Sequence, residues 1–469
     1  MEGARGAGLL VARFGEKTIT QGCKLDELRG QLEMKVPRAH KKIGILTHTG
    51  NKNLGDETIF AAVIENVKVR SPHSEIVGLS VRPEDTQQRH NIKAFPIRRL
   101  RKSGVGVRES PTRQELKVLV MRVPWIFSIS RWIKKSLESL ISVVAELAFC
   151  GKSLARIRGI DLLLVAGSGQ LSDHYGGPWG FPYTLLKWAV FARMVGARVA
   201  FLSVGAGPIH SRLSRFFLKW ALSLAAYRSY RDEGSKKLVE SMGIAANGCI
   251  VPDLAYSLPD SKLCSGSIPS SIVSVVGINP LPFFDARYWY KSDRKAYEKY
   301  VKQIAGFATR LISEGYKILM FPTQLHADPL VIEDVRSSMM ALGLTSVDTH
   351  LIEVPVSTEE DLFSAISKTD VVVATRFHGI LISFLLHKPV LGIAYQPKSR
   401  ELMDQMGQAE YVLDINQLDS TLMMERFRSL LAKREVIVKT LHERISAQRA
   451  ALEMQYNQVI GPVHLLPEA

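Results

Sequence analysis

Residues Thr369 to Lys398 read TDVVVATRFHGILISFLLHKPVLGIAYQPK, and this stretch decides the fold. The apolar, β-branched run Val371–Val373 is typical of a strand buried on both faces, and residues 390–394 indicate a second such strand. Between them, the apolar segment from Gly379 to His387 favours a helix that Pro389 ends. A strand, a helix and a second strand in this order predict a unit of a parallel α/β sheet.

Arg376 and His378 lie where the first of these strands ends and the helix begins. Open α/β sheets bind their ligands at that edge. If the turn is extended, the spacing of two residues points both side chains the same way. A permanently charged guanidinium beside an imidazole, at a helix N-terminus, suits an anion that must be protonated. The alternative is that Arg376 pairs with a carboxylate and His378 only begins the helix.

The same alternation occurs in both halves of the chain. Strands are predicted at residues 42–46, 75–79, 160–165 and 198–203, and again at 272–278 and 316–321, with helices between them. We expect another helix to start at Tyr230 and end at residues 242–243. Two successive runs of this kind predict an α/β protein with two Rossmann-like domains facing across a cleft.

The predicted domains have four parts. Residues 1–40 are expected to be a disordered extension, and residues 41–258 an N-terminal Rossmann-like domain with a basic insert at about 100–155. Residues 259–271 are polar and rich in Gly, Ser and Pro, which is typical of a linker. Residues 272–469 form the C-terminal domain with its terminal helices.

The bulk composition excludes several classes of protein. No run of 18 or more apolar residues occurs, so no membrane-spanning helix is expected, and residues 1–40 lack the layout of an export signal. The four cysteines show no metal-binding or disulfide spacing, which favours reduced thiols in a cytoplasmic protein. Neither a bound metal nor an organic cofactor is expected.

Most of the positive charge lies in one region. Residues 87–160 hold 16 Lys and Arg against four Glu, an excess of 12 within a chain whose net charge is +16. Trp125–Phe149 can be written as a basic amphipathic helix that includes Arg131, Lys134 and Lys135, and such a helix can lie on an anionic membrane. The alternative is an ordinary helix that covers the sheet. No nucleic-acid-binding motif accompanies the charge, so nucleic acid is not an expected partner.

Two glycine-rich loops follow strands in the first half. Residues 50–57 read GNKNLGDE, where Asn53 and Asp56 can cap the following helix, and Asp56 and Glu57 suit its dipole. Residues 167–173 read GSGQLSD. Further along, Arg231 and Asp232 stand at a predicted helix start, with Asp232 as its cap. An aromatic cluster after the second loop could stack on sugars or fill the core: Tyr175, Trp179, Phe181 and Tyr183.

These motifs resemble those of the polysaccharide pyruvyl transferases. R-F-H-G, an apolar helix, K-P-V and Y-x-x-K are similar to the C-terminal signature of that family, and K-N-L-G-D-E to its G-N-x-G-D-E motif, with Lys52 in place of glycine. GSGQLSD resembles G-G-G-x-L-x-D with Ser168 in place of glycine, and R-D-x-x-S and D-x-A follow at Arg231 and Asp253. The resemblance covers roughly residues 42–415 and implies the GT-B-like plan of many glycosyltransferases.

The resemblance also implies a reaction. The enolpyruvyl group of phosphoenolpyruvate is transferred to two hydroxyls of a sugar, which forms a pyruvate ketal and releases phosphate. His378 is then the general acid, and Arg231 and Arg376 grip the donor, with Gly379 and Lys398 as further donor contacts. The acceptor side is expected at Asn53, Asp56, Glu57, Gly169, Asp173 and Tyr175.

The implied partners are phosphoenolpyruvate and a sugar acceptor, which is part of a polysaccharide or of a lipid-linked oligosaccharide. A cytoplasmic location is expected, with peripheral contact to the anionic inner face of the membrane. Two alternatives remain open at this point: a nucleotide-sugar glycosyltransferase of GT-B architecture, and a non-catalytic scaffold for polysaccharide synthesis. No pair of glutamates in the second domain has the spacing that holds the donor ribose in many such glycosyltransferases.

Overall fold

The computed structural model of this chain describes residues 40–99, 124–174, 176–244, 248–263, 273–289, 291–344 and 347–461; for 124–139 and 347–348 it describes the backbone alone. The extension predicted over residues 1–40 lies outside the described residues except for His40, and so does the predicted linker from residue 264 onward. Tyr175 is also outside them.

The first half forms a parallel sheet of seven strands in the order β3-β2-β1-β4-β5-β6-β7. The strands are β1 Lys42–Leu46, β2 Glu75–Ser80, β3 Lys93–Pro96, β4 Leu162–Ala166, β5 Arg198–Val204, β6 Tyr227–Tyr230 and β7 Cys249–Ile250. The helices are α1 Leu54–Arg70, α2 Pro83–His90, α3 Pro124–Arg156, α4 Phe181–Met194, α5 Arg212–Ser223 and α6 Glu233–Glu240.

The second half repeats this plan with six parallel strands in the order β10-β9-β8-β11-β12-β13. They are β8 Val275–Asn279, β9 Lys317–Met320, β10 Leu351–Ile352, β11 Val371–Ala374, β12 Val390–Ala394 and β13 Val412–Asp414. The helices are α7 Arg294–Ser313, α8 Asp328–Ala341, α9 Val347–His350, α10 Glu359–Ser367, α11 Phe377–Leu385, α12 Pro397–Gln405, α13 Ser420–Ala432 and α14 Arg434–Val459. The strand order reverses between β1 and β4 and between β8 and β11, and these two switch points place the ligand-binding edges.

The two Rossmann-like domains of the prediction are confirmed, as are the strands at 42–46 and 390–394. The helix predicted to start at Tyr230 is wrong at that residue, because Tyr230 ends β6 and the helix begins at Glu233. The short strands β3, β6, β7, β10 and β13 have two to four residues each, too few to show a period in the sequence. Only their neighbours in the sheet identify them.

Two loop residues occupy the left-handed backbone region that glycine favours. Lys52 has a φ of 56° and Ser168 a φ of 58°. They are the two positions where this sequence departs from the glycines of the motifs it resembles, so the loops keep a glycine-like path without glycine. Such a conformation costs a residue with a side chain about 1–2 kcal/mol.

The last helix, α14, returns to the first domain. Arg70 of α1 pairs with Glu453, and its Nε donates to Asn457 Oδ1 at 3.1 Å. Gln455 is buried against Ser203 and Ser229 at the end of β5 and in β6. The chain thus crosses between the two domains twice. The sequence analysis assigns this terminal helix to the C-terminal domain, but the helix contacts the N-terminal domain. Among the described residues, no helix is both long and apolar enough to span a bilayer.

The loop after β1 in the first domain contacts the loop after β9 in the second domain directly. Leu54 N donates to Thr323 O at 2.9 Å, and Leu325 N donates to Lys52 O at 3.0 Å. At the end of α2, the Arg89 Nη1 donates to Ser357 O at 2.9 Å. Gly55 lies under the ring of His378, where an added Cβ would fall 2.0 Å from the ring Cγ. The domains therefore close on each other at the start of α1.

We predict that Gly55→Ala destabilises the closed arrangement. The methyl group must displace the His378 ring or part the domains, and overpacking of this kind costs about 1–3 kcal/mol, more than the gain of about 1 kcal/mol in helix propensity. Thermal unfolding of the variant should show a lower midpoint. Gly169→Ala is the matched control, because nothing lies within 4 Å of the added Cβ there. Equal midpoints for the two variants would contradict the contact.

Candidate active site between the domains

The carboxyl ends of four strands meet at the cleft. In the first domain, β1 leads into the start of α1 and β4 into residues 167–173. In the second, β8 ends at Asn279 and β11 leads through Thr375 into α11. Because these strands flank the switch point of each sheet, the loops that follow them form the cleft.

His378 lies in the first turn of α11 and is at the centre of the cleft. Its Nε2 is buried and has no hydrogen-bond partner among the described residues. A buried polar atom without a hydrogen-bond partner lowers the stability of the fold by about 1–3 kcal/mol. Such atoms in folded proteins therefore usually bind a ligand or a water, or take part in proton transfer. This nitrogen is therefore the strongest single indication of a ligand site.

Four charged groups surround the imidazole. Burial lowers the pKa of His378, the carboxylates of Asp253 and Asp56 act to raise it, and the charges of Arg231 and Lys398 lower it again. These surroundings together favour neutral histidine. A bound anion that neutralises the two cations would remove their effect on the pKa and favour protonation.

Arg231 follows β6 and is buried. Its Nη1 is 3.3 Å from Asp253 Oδ2, and its Nε is 3.4 Å from Asp232 Oδ2. The guanidinium carbon lies 4.5 Å from the centre of the Phe377 ring, on its face. Asp232 also caps α6 by accepting from Ser235 N at 2.7 Å, which confirms its predicted role as a helix cap.

Lys398, at the start of α12, approaches Arg231 from the second domain. Burial and the Arg231 charge lower the pKa of Lys398 to about 8. A pocket of about 280 Å³, counted with the space at its open mouth, lies between the two cations, and its lining includes Asp232, Tyr256, Phe377 and Glu401. The Tyr256 hydroxyl is buried and has no partner among the described residues. The two cations and the Tyr256 hydroxyl can contact a small polyanion, provided that it shares or displaces the carboxylates of Asp232 and Asp253 that pair with Arg231.

Arg376 is held differently from the prediction of an extended turn. The helix already begins at Phe377, so Arg376 is its N-cap, and the expected i, i+2 alignment with His378 does not apply. Its Nε donates to Asp328 Oδ1 at 3.0 Å, and Nη2 contacts the same oxygen. Asp328 Oδ2 accepts from Thr323 N at 2.9 Å and Gln324 N at 2.8 Å. Arg376 is thus tied to the loop that contacts the first domain.

On the side predicted to bind the acceptor, Asp56 is the residue whose charge acts on His378. Although burial acts to raise it, the hydrogen bond and charge of His48 hold the pKa of Asp56 below its ordinary value. Asn53 caps α1 by accepting from Gly55 N at 3.1 Å. Gly169 is exposed at the mouth of the β4 loop.

Glu57 and Asp173 are engaged in holding loops. Glu57 Oε1 accepts from Gly50 N, and Oε2 lies near His90 Nε2, both at 2.9 Å. Asp173 Oδ2 accepts from the backbone of His210 at 3.0 Å and of Ser211 at 2.9 Å. These contacts shape the acceptor side, whereas contact with a sugar stays a prediction. Tyr175 lies outside the described residues, and Phe181 of the aromatic cluster is buried against His48.

Asn279 is a site residue that the sequence analysis missed. It ends β8 and is fully buried; its amide nitrogen donates to Phe321 O at 2.8 Å, but its Oδ1 has no hydrogen-bond donor among the described residues. An added Cβ on Gly379 would fall 2.0 Å from that oxygen, so this glycine is needed for close packing. A polar residue at the end of an otherwise apolar strand, before Pro280, was the available signal.

Comparison with known proteins agrees with this geometry. The family model for polysaccharide pyruvyl transferase matches residues 53–397, which include Asp56, Arg231, Asp253, Arg376 and His378 but not Lys398. A curated relative is the amylovoran biosynthesis protein AmsJ of Erwinia amylovora, 20% identical over 306 residues, which are 63% of this chain and 71% of that protein.

Solved structures show the fold. A putative UDP-N-acetylglucosamine 2-epimerase from Listeria monocytogenes superposes with a TM-score of 0.54 at 11% identity, covering 91% of this chain and 100% of that one. A further UDP-N-acetylglucosamine 2-epimerase has a TM-score of 0.52 at 13% identity, with 90% and 96% covered. These likenesses confirm the GT-B-like architecture and nothing further. Together with the family match, they show that this chain is a GT-B-like transferase of the polysaccharide pyruvyl transferase family.

Proposed function

We propose that the protein transfers the enolpyruvyl group of phosphoenolpyruvate to two hydroxyls of a sugar and so forms a pyruvate ketal. The buried, unpartnered Nε2 of His378, whose imidazole feels the charges of Arg231 and Lys398, is the observation that carries this proposal. A carboxylate and a phosphate on one small donor match two cations near a proton donor. No metal or organic cofactor enters the proposed reaction.

The chemistry assigns His378 the first step. The imidazolium gives its proton to the methylene carbon of the donor, which becomes a methyl group and leaves an oxocarbenium-like centre on the adjacent carbon. A sugar hydroxyl adds to that carbon, the bond to phosphate breaks, and the second hydroxyl closes the ketal. The proton of one hydroxyl restores the imidazolium of His378, whose own proton stays on the methyl group. The proton of the other hydroxyl leaves with the phosphate. General acid catalysis of this kind contributes about 10²–10⁴-fold.

The cations bind and orient the donor. We assign the anionic groups of the donor to Arg231 and Lys398, which line the same pocket, and propose that the Nη1 edge of Arg376 adds a third contact. Asp328 holds the other edge of that guanidinium, so its position is already set before the donor arrives. Gly379 lets α11 start close to Asn279, and Asp56 and the loop at Gly169 face the acceptor. The polymer or lipid-linked oligosaccharide that carries the acceptor sugar is part of this proposal.

The test of this function is release of phosphate from phosphoenolpyruvate across a panel of acceptor glycans. Protection against heat by phosphoenolpyruvate, compared with a uridine diphosphate sugar, separates the two donor classes. Protection by the nucleotide sugar alone would replace the proposal with a glycosyltransferase. Phosphoenolpyruvate that neither binds nor reacts would favour a scaffold.

We expect His378→Gln to lower turnover by about 10²–10⁴-fold while the dissociation constant of the donor changes little. Glutamine keeps a polar side chain of similar length but cannot act as the acid. Steady-state kinetics and calorimetric titration of phosphoenolpyruvate measure the two quantities. The parent should also take up more protons on donor binding than this variant, as buffers of different ionisation enthalpy will show. Turnover near that of the parent would remove His378 as the acid.

Replacing the guanidinium groups of Arg231 and Arg376 should separate their contribution to donor binding from the anchoring of Arg376 on Asp328. Arg231→Lys should weaken donor binding by about 10–100-fold, since one charge-assisted contact is worth about 1.5–3 kcal/mol and an ammonium cannot reproduce the fork. Arg376→Lys should weaken binding too and also lower the thermal midpoint, because Asp328 loses a two-point partner. Titration and thermal unfolding measure both effects. Parent-like donor affinity in both variants would place the donor elsewhere.

The low pKa of Lys398 predicts a pH-dependent donor affinity. The amine loses its proton as the pH rises through about 8, and a bound anion raises its pKa, so binding requires a proton above that pH. The dissociation constant should therefore increase up to about tenfold per pH unit above pH 8. Lys398→Arg should remove the steepening of this dependence near pH 8, because arginine stays charged, and should keep the dependence that protonation of His378 contributes. A parent whose pH dependence does not steepen near pH 8 would exclude Lys398 from the donor site.

A further inference from the structure

An extended part of the first domain's surface carries large exposed apolar side chains. Trp179 is 67% exposed, Phe216 and Trp220 are each 52% exposed, and Leu147 is 66% exposed. We name this surface the outer face and define it by its exposed apolar residues on α3, on the turn at Trp179, on α4 and on α5: Leu140, Ile141, Val144, Leu147, Trp179, Val190, Met194, Leu213, Phe216 and Trp220. Single exposed apolar residues are normal, but a contiguous group marks an interaction surface.

Helix α5 shows how the outer face is built. Leu213, Phe216 and Trp220 are spaced three and four residues apart, so they lie along one line of the helix. The exposed cations Arg212, Arg215 and Lys219 have the same spacing and form the neighbouring line. The opposite side of α5 is buried against α4. An apolar line beside a basic line is the pattern of a helix that lies at a lipid–water interface.

Contacts between the elements make the outer face continuous. The ring of Trp179 lies 5.4 Å from that of Tyr183 on α4 and 5.5 Å from that of Phe217 on α5. Lys187 of α4 pairs with Glu146 of α3 at 2.9 Å. The outer face therefore runs over three helices and the turn that joins them.

The charge of this region has one sign. Between Asp173 and Asp232 the sequence holds no Asp or Glu, and it holds eight Lys and Arg: Lys187, Arg193, Arg198, Arg212, Arg215, Lys219, Arg228 and Arg231. A protein partner that covered an apolar patch would be expected to meet a mixed rim of charges. The exposed charged residues of α4 and α5 are therefore basic, whereas Glu146 of α3 is paired with Lys187. A predominantly basic rim complements an anionic surface.

We propose that the outer face binds the surface of a bilayer that contains anionic lipid. Tryptophan favours the headgroup level of a membrane, and the long stems of arginine and lysine let their charges reach phosphate while the aliphatic part stays buried. Trp179, Phe216 and Trp220 enter the interface, and Arg212, Arg215 and Lys219 contact the headgroups. The backbone of α3 continues from this face towards residue 124, through the segment in which Arg131, Lys134 and Lys135 lie.

The outer face adjoins the acceptor side of the cleft. Asp173, in the loop after β4, accepts from the backbone at His210 and Ser211, which lead directly into α5. Bound in this way, the protein would hold its acceptor loop near the membrane. This consequence, that the acceptor is attached to lipid, rests on the proposed function, whereas membrane binding itself does not.

The test is sedimentation with vesicles of neutral phosphatidylcholine and with vesicles that also contain phosphatidylglycerol, in the absence of substrate. We expect stronger binding to the anionic vesicles, with the difference shrinking as the Debye length falls from about 10 Å at 0.1 M salt to about 3 Å at 1 M. Equal sedimentation with both kinds of vesicle, or none with either, would overturn the proposal.

Charge reversal at α5 locates the contact. Arg212→Glu, Arg215→Glu and Lys219→Glu together should weaken binding to anionic vesicles by at least about 100-fold, since each basic residue near such a surface is worth about fivefold. The matched control reverses three exposed lysines of the second domain: Lys291, Lys295 and Lys302. An equal loss in both triple variants would mean that net charge and not the outer face is responsible.

The double substitution Phe216→Ser and Trp220→Ser tests how much the apolar side chains of the outer face contribute to membrane binding. This variant should lose the binding that persists at high salt. Turnover of a short soluble acceptor should be unchanged in this variant and in the α5 charge variant.

Light scattering without lipid tests whether a second copy of this chain, and not a membrane, covers the outer face. A parent dimer that becomes monomeric in the serine variant would show that the outer face joins two copies of this chain, and the membrane proposal would be wrong. Membrane binding with no phosphate release from phosphoenolpyruvate would instead leave this inference standing and contradict only the proposed function.

Discussion

The contact between His378 and Gly55 is the constraint on which the candidate site depends. The imidazole lies on the backbone of α1 so closely that even a methyl group would overlap it. This contact brings the start of α11 in one domain onto the start of α1 in the other, and the strand ends of both sheets then converge. His378 Nε2 is buried in this arrangement, and burial is the largest influence on the pKa of the imidazole, which it lowers.

The charges around the imidazole nearly balance without a ligand. Arg231 is paired with Asp253 and Asp232, and Lys398 has a weakened hold on its proton. A donor anion must therefore share or replace the carboxylate partners of Arg231, and its net affinity is smaller than the sum of its new contacts. In the proposed function, the donor neutralises the two cations that disfavour imidazolium. Donor binding would then favour protonation of His378.

Arg376 links this chemistry to the closing of the domains. Its partner Asp328 also holds the backbone of Thr323 and Gln324, and Thr323 O accepts from Leu54 at the start of α1. A continuous set of hydrogen bonds therefore runs from the donor side of the cleft to the first domain. In the same domain, α5 begins at the loop that Asp173 shapes. The helix that is proposed to meet a membrane is therefore built onto a loop of the proposed acceptor side.

The sequence by itself determined the two parallel sheets and the positions of Arg376 and His378 after the end of a strand. It placed Arg231 at the start of a helix, and only the structure shows that Arg231 follows the strand β6. Buried parallel strands are apolar runs and their helices carry a period, so local pattern is enough to find them. Tertiary structure alone decided what those side chains contact. Asp328 is 48 residues from Arg376, and Gly55 is further still from His378, so no spacing along the chain relates them. The unsatisfied oxygen of Asn279, the return of α14 to the first domain and the outer face also depend on packing between distant segments. Burial and electrostatics of that kind arise only once the chain has folded.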